Sequence, residues 1–154
     1  WFASAGSEFS AFHHGSQLVV SLSLFSLSSF PLFLKGISME IQDSEQLTVR
    51  KCVPCEGGVD PCPLPFVTEQ LEKLPGWYLT HENQRICKDW EVKDFVSGLA
   101  FFERVGVIAE AEAHHPDLHL VGYKNVSIEI WTHAIGGLSE NDFILAAKID
   151  QLEI

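Results

Sequence analysis

From Thr68 onward, hydrophobic and polar positions fall into runs whose periods predict the elements. Thr68-Glu69-Gln70-Leu71-Glu72-Lys73-Leu74 predicts a short helix, with Thr68 as its cap and Pro75-Gly76 as its stop. Trp77-Tyr78-Leu79-Thr80 and Ile86 to Val92 are rich in aromatic and β-branched residues, and the polar Glu82-Asn83-Gln84 stretch between them predicts a hairpin. Phe95, Leu99, Phe102, Val105 and Ala109 recur at spacings of three and four, placing them on one face of an amphipathic helix over 94–112. Its other face carries Glu103, Arg104, Glu110 and Glu112. A proline pushes the residue before it out of the helical region, so His115-Pro116 marks where this helix ends.

Val126, Ile128 and Ile130 then alternate with Ser127, Glu129 and Trp131, the period of a strand with one buried face, and Thr132 and His133 continue it to its end. Gly136-Gly137 breaks the chain. Ser139 with Asp142 three residues later predicts a capping box, and Leu145, Ile149 and Leu152 mark the apolar stripe of a last helix. The order helix, hairpin, helix, two strands, helix predicts an α+β domain over 66–154: a small antiparallel four-stranded sheet with three helices on one face. The tryptophans at 77, 90 and 131 fall in the predicted sheet, where packing is the ordinary explanation.

Ahead of that domain the periodicity fails. Between Met39 and Pro65, Pro54, Gly57-Gly58, Pro61, Pro63 and Pro65 exclude a long helix or a central strand, leaving a Cys- and Pro-containing lead-in arm over 39–65. Residues 1–38 are Ser-rich, hydrophobic and nearly uncharged, holding only Glu8 and Lys35. The uncharged run from Phe9 to Leu34 has the length of a membrane span, but its serines and Pro31 weigh against one. Two readings of this leader stand side by side. It is a transit segment, mitochondrial or plastid, favoured by scarce acids and abundant serine although Arg is absent; or Met39 is the true start, and a cytoplasmic protein results.

Charge and composition narrow the function. With 21 acids against 10 bases and a net charge of −11, the chain is a poor partner for a phosphate backbone, so no direct nucleic-acid role is expected, nor a membrane one. At 46% hydrophobic it has enough apolar material for one core. Its four cysteines are too few and too clustered for a disulfide framework, which points to a reducing compartment. Cys52-x2-Cys55-x6-Cys62 invites a zinc or redox reading, but the set lacks a fourth ligand unless Cys87 or a histidine supplies it, and no metal is expected.

Histidines carry the chemical interest, because an unperturbed pKa of about 6.5 lets imidazole give and take protons near neutrality. His114, His115 and His133 lie near the predicted ends of elements, whereas His13-His14, His81 and His119 are most simply leader, surface or turn residues. Adjacent imidazoles resist being charged together, so a proton-donating and a proton-accepting form tend to coexist in the His114-His115 pair. The plain alternative is a surface pair that satisfies backbone groups at a helix terminus. A shared metal fits poorly, since consecutive side chains point apart.

The motif Glu110-Ala-Glu-Ala-His114-His115-Pro116, followed by Tyr123, His133 and Asp142 at fixed spacing, resembles the pterin-4a-carbinolamine dehydratases, also known as dimerisation cofactors of a homeodomain transcription factor. Gly76-Trp77, Lys93-Asp94-Phe95, Thr132-His133 and Gly137-Leu138-Ser139-Glu140-Asn141-Asp142 look like the family too, and Lys51-Cys52-Val53-Pro54-Cys55 resembles its plant members. Ala113, where some members have Asp, and Leu118, where many have an aromatic residue, depart from the pattern.

The resemblance implies dehydration of 4a-hydroxytetrahydropterin to a quinonoid dihydropterin. Water leaves C4a once its hydroxyl gains a proton, while loss of the N5 proton frees the electrons of the new double bond. It implies a catalytic set of His114, His115 and His133, and substrate-binding positions at Glu110, Pro116, Thr132 and Asp142. Each of these four also has a purely structural explanation: Glu110 as a solvated helix carboxylate, Pro116 as a turn former, Thr132 as a strand residue and Asp142 as a helix cap. No cofactor is required, since the carbinolamine supplies its own electron push and the pterin is the substrate. A homodimer or homotetramer is implied, and a non-enzymatic assembly factor on the same fold is the alternative function.

Overall fold

The computed structural model describes residues 39–54 and 59–154; the leader 1–38 and the segment 55–58, with Cys55, lie outside the described residues. Four strands, β1 (Tyr78–Thr80), β2 (Arg85–Glu91), β3 (Asp117–Val121) and β4 (Asn125–Ile130), form one antiparallel sheet in the order β1-β2-β4-β3. β2 pairs with β4 so that Ile86 meets Ile130, Lys88 meets Ile128 and Trp90 meets Val126. Because neighbouring residues of a strand face opposite sides, this register gathers the apolar members on one face and leaves Asp89, Glu91, Ser127 and Glu129 on the other.

Two long helices, α3 (Phe95–Glu112) and α4 (Glu140–Ile149), supply Phe101, Val105, Phe143 and Leu145 to the core that covers the apolar face. The α+β architecture and the antiparallel four-stranded sheet are as the pattern predicts. Trp90 bridges sheet and helix, with its ring 5.9 Å from Trp77 and 5.4 Å from Phe101. No helix among the described residues is long and apolar enough to cross a membrane.

Several element boundaries differ from expectation, each for a local reason. The helix expected from Thr68 to Leu74 is α2 (Leu64–Leu71), capped by Pro63 with Pro65 in its first turn. Proline suits that position because the first amides of a helix have no internal partner. Thr68 is therefore not a cap, and its Oγ1 donates to the Leu64 carbonyl at 2.9 Å. The arm's prolines do exclude a long helix, yet the five-residue α1 (Ser44–Thr48) forms ahead of them, closed by a capping box between Asp43 and Gln46. Leu47 from α1 is buried in the main core, so the arm is packed into the domain.

The buried stripe of α3 runs through Gly98, Phe101, Val105, Ala109 and Glu112, leaving Phe95 and Leu99 about half exposed. Gly98 explains the rotation: a Cβ there would lie 3.1 Å from a Leu120 methyl, so the helix approaches the sheet at a residue without a side chain. β4 stops at Ile130. Thr132 makes a single bridge to Gly137, and His133–Ile135 form a 3₁₀ turn ended by Gly136 at φ 62°, so His133 sits on a turn and not on the strand. The predicted Ser139 and Asp142 capping box opens α4.

Leu47 tests how far the arm belongs to the fold. Leu47→Ala is expected to lower the unfolding free energy by about 2–5 kcal/mol, whereas Val49→Ala, at a position 83% exposed, changes it by less than about 0.5 kcal/mol. Urea denaturation of both variants measures the difference.

Candidate active site

Three chain segments converge at one edge of the domain: the end of α3, the turn after β4 and the start of α4. Ala113 takes a left-handed conformation at φ 51°, which ends α3 and turns the following residues off the helix axis. The His114 amide still bonds back to the Ala109 carbonyl at 3.1 Å, so the position of this histidine is tied to the last turn. His114, His115 and His133 line a single cleft of about 200 Å³, together with Thr132, Trp131 and Val53. Residues 19 positions apart in the chain are thereby brought to one surface depression.

Asp142 is the organising group behind that cleft. Its side chain is fully buried, and its Oδ1 lies 2.7 Å from Nε2 of His114. The other carboxylate oxygen accepts from the Ser139 amide at 2.6 Å and from the Thr132 hydroxyl at 2.8 Å. Thr132 Oγ1 is also 2.7 Å from Ser139 Oγ. A buried carboxylate is tolerated only when hydrogen-bonded or paired, and here both oxygens are engaged. A hydrogen bond from Nε2–H to Oδ1 leaves Nδ1 as the nitrogen of His114 without a carboxylate partner.

The remaining histidines are held differently. His133 is exposed and presents its ring 4.0 Å from that of Trp131, at 69°. Trp131 is steadied by its Nε1–H, which donates to Asp117 at 3.1 Å, and by the Arg85 guanidinium 4.3 Å above its ring. Arg85 in turn pairs with Glu129 at 2.8 Å. Burial alone would raise the Glu129 carboxyl, but hydrogen bonds from Thr80 and Arg85 and the nearby His81 and Arg85 charges hold it below its ordinary value. His115 lies 3.1 Å from Glu110, both of them exposed.

Of the expected site residues, the three histidines and Thr132 share the cleft wall. Asp142 reaches it only through His114 and Thr132, Glu110 only through His115, and Pro116 stands outside the wall. Val53, Trp131, Ala134 and Asn141 also line it and were not singled out from the sequence as site residues. Trp131 had one readable signal, its adjacency to Thr132-His133; Val53 stood only within the Lys51–Cys55 stretch that looks like plant members, and nothing local tied it to the cleft, since its place depends on a contact across the chain.

Glu112, expected on the solvated face of α3, is buried instead. Burial alone would raise its carboxyl, but Lys148 at 2.5 Å, the Cys52 amide at 2.8 Å and Lys51 at 3.5 Å outweigh that and hold it at about 2. Next to it, burial first and the Glu112 charge second push the Cys52 thiol up to about 12. The thiolate needed for zinc or redox chemistry is therefore disfavoured at Cys52. Among the described residues no group of three or more His, Cys, Asp or Glu side chains is placed to hold a metal ion.

Comparison with known proteins bears on this geometry. Residues 65–152 match the family described as pterin 4 alpha carbinolamine dehydratase. The chain is 55% identical over 115 residues to pterin-4-alpha-carbinolamine dehydratase 2, mitochondrial, of Arabidopsis thaliana; the alignment covers 70% of this chain and 59% of that relative's length. A Dechloromonas aromatica relative bearing the same family name is 45% identical over 106 residues, covering 69% of this chain and 92% of its own. Among solved structures, a transcriptional coactivator/pterin dehydratase from Brucella melitensis superposes with a TM-score of 0.56 at 26% identity, covering 60% of this chain and 97% of that one.

Glu112 makes the arm's attachment sensitive to acid. Its folded carboxyl binds a proton less tightly than the ordinary value of 4.5, so its stabilisation is complete above that pH and is lost as the pH falls toward about 2. Glu112→Gln is expected to be less stable than wild type at neutral pH, with the gap closing below about pH 4.5. Denaturant melts across a pH series read that convergence; a gap independent of pH would contradict it.

Proposed function

The chain belongs to the pterin 4 alpha carbinolamine dehydratase family, and on that premise we propose that it removes water from a 4a-hydroxytetrahydropterin to leave a quinonoid dihydropterin. The observation that carries this reading is the set of three imidazoles around one small cleft, one of them backed by a buried carboxylate. The reaction asks for a proton at the C4a hydroxyl and removal of the proton on N5. The electron pair released at N5 forms the N5–C4a double bond as the C4a–O bond breaks, and water carries the oxygen away. Groups with pKa values near neutrality serve both transfers.

The two kinds of histidine environment suit a division of labour. Asp142 accepts from Nε2–H of His114, which favours the tautomer with a lone pair on Nδ1. His114 is thus suited to take the N5 proton. His133 and His115 are exposed to solvent, so they are suited to supply the proton to the leaving hydroxyl. Thr132 and Ser139 act on the chemistry by keeping Asp142 in place, and Trp131 by holding the ring of His133.

The leader reading follows the plant relative, whose name includes mitochondrial; Ser-rich, acid-poor residues 1–38 are proposed to direct the protein to that organelle. A fluorescent fusion carrying residues 1–38 should colocalise with a mitochondrial dye, and a diffuse cytosolic signal would reject it.

The dehydration of freshly generated 4a-hydroxytetrahydropterin, followed by ultraviolet absorbance, tests the enzyme reading. Acceleration by wild type is expected, with kcat reduced about 10²–10⁴-fold in His114→Ala or His133→Ala and less in His115→Ala. Circular dichroism checks that each variant is folded. No acceleration by folded wild type would sink the dehydratase and favour the assembly-factor alternative, to which the word coactivator in the Brucella protein's name is the pointer.

A further inference from the structure

One wall of the histidine cleft belongs to neither the sheet nor the main helices. Val53 forms it, and Val53 is on the arm, outside the 65–152 stretch that matches the family. Its backbone is gripped at both polar atoms by one side chain. The Val53 N–H donates to Asn141 Oδ1 at 3.0 Å, and the Val53 carbonyl accepts from Asn141 Nδ2 at 2.7 Å. Two bonds from one carboxamide to one residue fix both the position and the orientation of that residue. Asn141 is buried in the first turn of α4, beside Asp142, so the carboxamide is as firmly placed as the carboxylate that supports His114.

Neighbouring contacts tie the arm down on either side of Val53. Cys52 is held through its amide by Glu112, and farther along the Cys62 amide donates to the Leu138 carbonyl at 2.7 Å. Pro61 packs so closely on Gly137 that a Cβ there would lie 2.9 Å away. Gly137 and Leu138 directly follow the turn that carries His133. Val53 nevertheless buries little of itself: the residue remains largely exposed, at 65%. An apolar side chain on a tightly fixed backbone, contributing almost nothing to the core, is placed to present a surface. On its other side Val53 also borders a second, apolar hollow of about 360 Å³ that includes Ile135 and Val59. Val53 and Asn141 therefore separate the histidine cleft from this hollow.

We propose that Val53 is a specificity-determining residue of the cleft and Asn141 its positioning residue, so that the arm sets which ring substituents of a reduced pterin are admitted beside the histidines. This rests on the dehydratase reading for the identity of the substrate class. An apolar wall discriminates by size, since each methylene-sized change in such a pocket alters relative binding by roughly tenfold or more. Removing the partition joins cleft and hollow and admits bulkier substituents; enlarging it narrows the cleft. The proton chemistry, assigned to the imidazoles, involves none of the residues changed.

The test compares the full chain with Val53→Ala, Val53→Trp and Asn141→Ala on two 4a-hydroxytetrahydropterins, one with a methyl and one with a dihydroxypropyl substituent at C6. Binding of dihydrobiopterin, read by quenching of tryptophan emission, provides a measure that does not depend on turnover. Val53→Trp is expected to raise KM and Kd roughly tenfold, more for the larger substituent, while kcat falls far less. Val53→Ala should reduce discrimination between the two substrates, and Asn141→Ala should shift KM and Kd without a comparable loss of kcat. Should folded Val53→Trp and Val53→Ala both keep KM, Kd and the substrate preference within twofold of wild type, the proposal is overturned, whatever Asn141→Ala does. If wild type binds dihydrobiopterin, and Val53→Trp weakens that binding, without any dehydratase activity, the function reading fails and the wall stands.

Discussion

A single buried carboxylate holds the site to the fold. Asp142 sits in the first turn of α4, where it accepts the Ser139 amide and so closes the cap of that helix. The same oxygen takes the hydroxyl of Thr132, just past β4, and its twin takes Nε2 of His114, just past α3. One side chain thus pins together, at the cleft, three chain segments that the core and the Glu112–Lys148 pair bring into the same neighbourhood. The cost of burying its charge is offset only if all these donors are present, so the arrangement is cooperative: loss of one partner leaves the others facing a poorly compensated carboxylate. A helix cap worth about 1 kcal/mol in isolation becomes, in this setting, the mechanism by which a histidine acquires a fixed tautomer.

The sheet contributes rigidity rather than chemistry. Its apolar face is closed by α3 and α4, and its polar face carries the Glu129, Arg85 and Asp117 cluster that ends at the Trp131 ring. Charge on the polar face is therefore linked through an aromatic ring to His133. Two routes, one through a buried carboxylate and one through an aromatic ring, position two histidines around one cleft. The arm adds a third element by a different means: near the cleft Glu112 and Asn141 hold it through backbone amides and a carbonyl, while Leu47 anchors its earlier part in the core. Such attachment tolerates a segment rich in proline and glycine, which has no periodicity with which to build a face of its own.

Much of this was legible in the chain. Alternation in Val126, Ile128 and Ile130 identified the central strand because a half-buried strand has a period that nothing else imitates. The Ser139 and Asp142 spacing identified the cap because the geometry is local. His114, His115 and His133 stood out by chemical type and by the specificity of their spacing. Where the reading slipped, it did so at places governed by contacts distant in sequence. The stripe of α3 rotated because Gly98, invisible to any hydropathy pattern, is where Leu120 comes close. α2 started before Thr68 because proline, a breaker inside a helix, is welcome in its first turn.

Sequence alone, then, determined the class of fold, the kinds of chemistry available and the residues able to move protons, because those depend on local periodicity and on side-chain type. Tertiary structure alone decided that Asp142 stands behind His114, that Glu112 is a buried anchor in place of a solvated helix carboxylate, and that Val53 reaches the cleft. Each of those facts is a contact between residues 28 or more positions apart. Neither hydrophobic period nor propensity reports on such a pair, because the free energy that selects it belongs to the packed core as a whole.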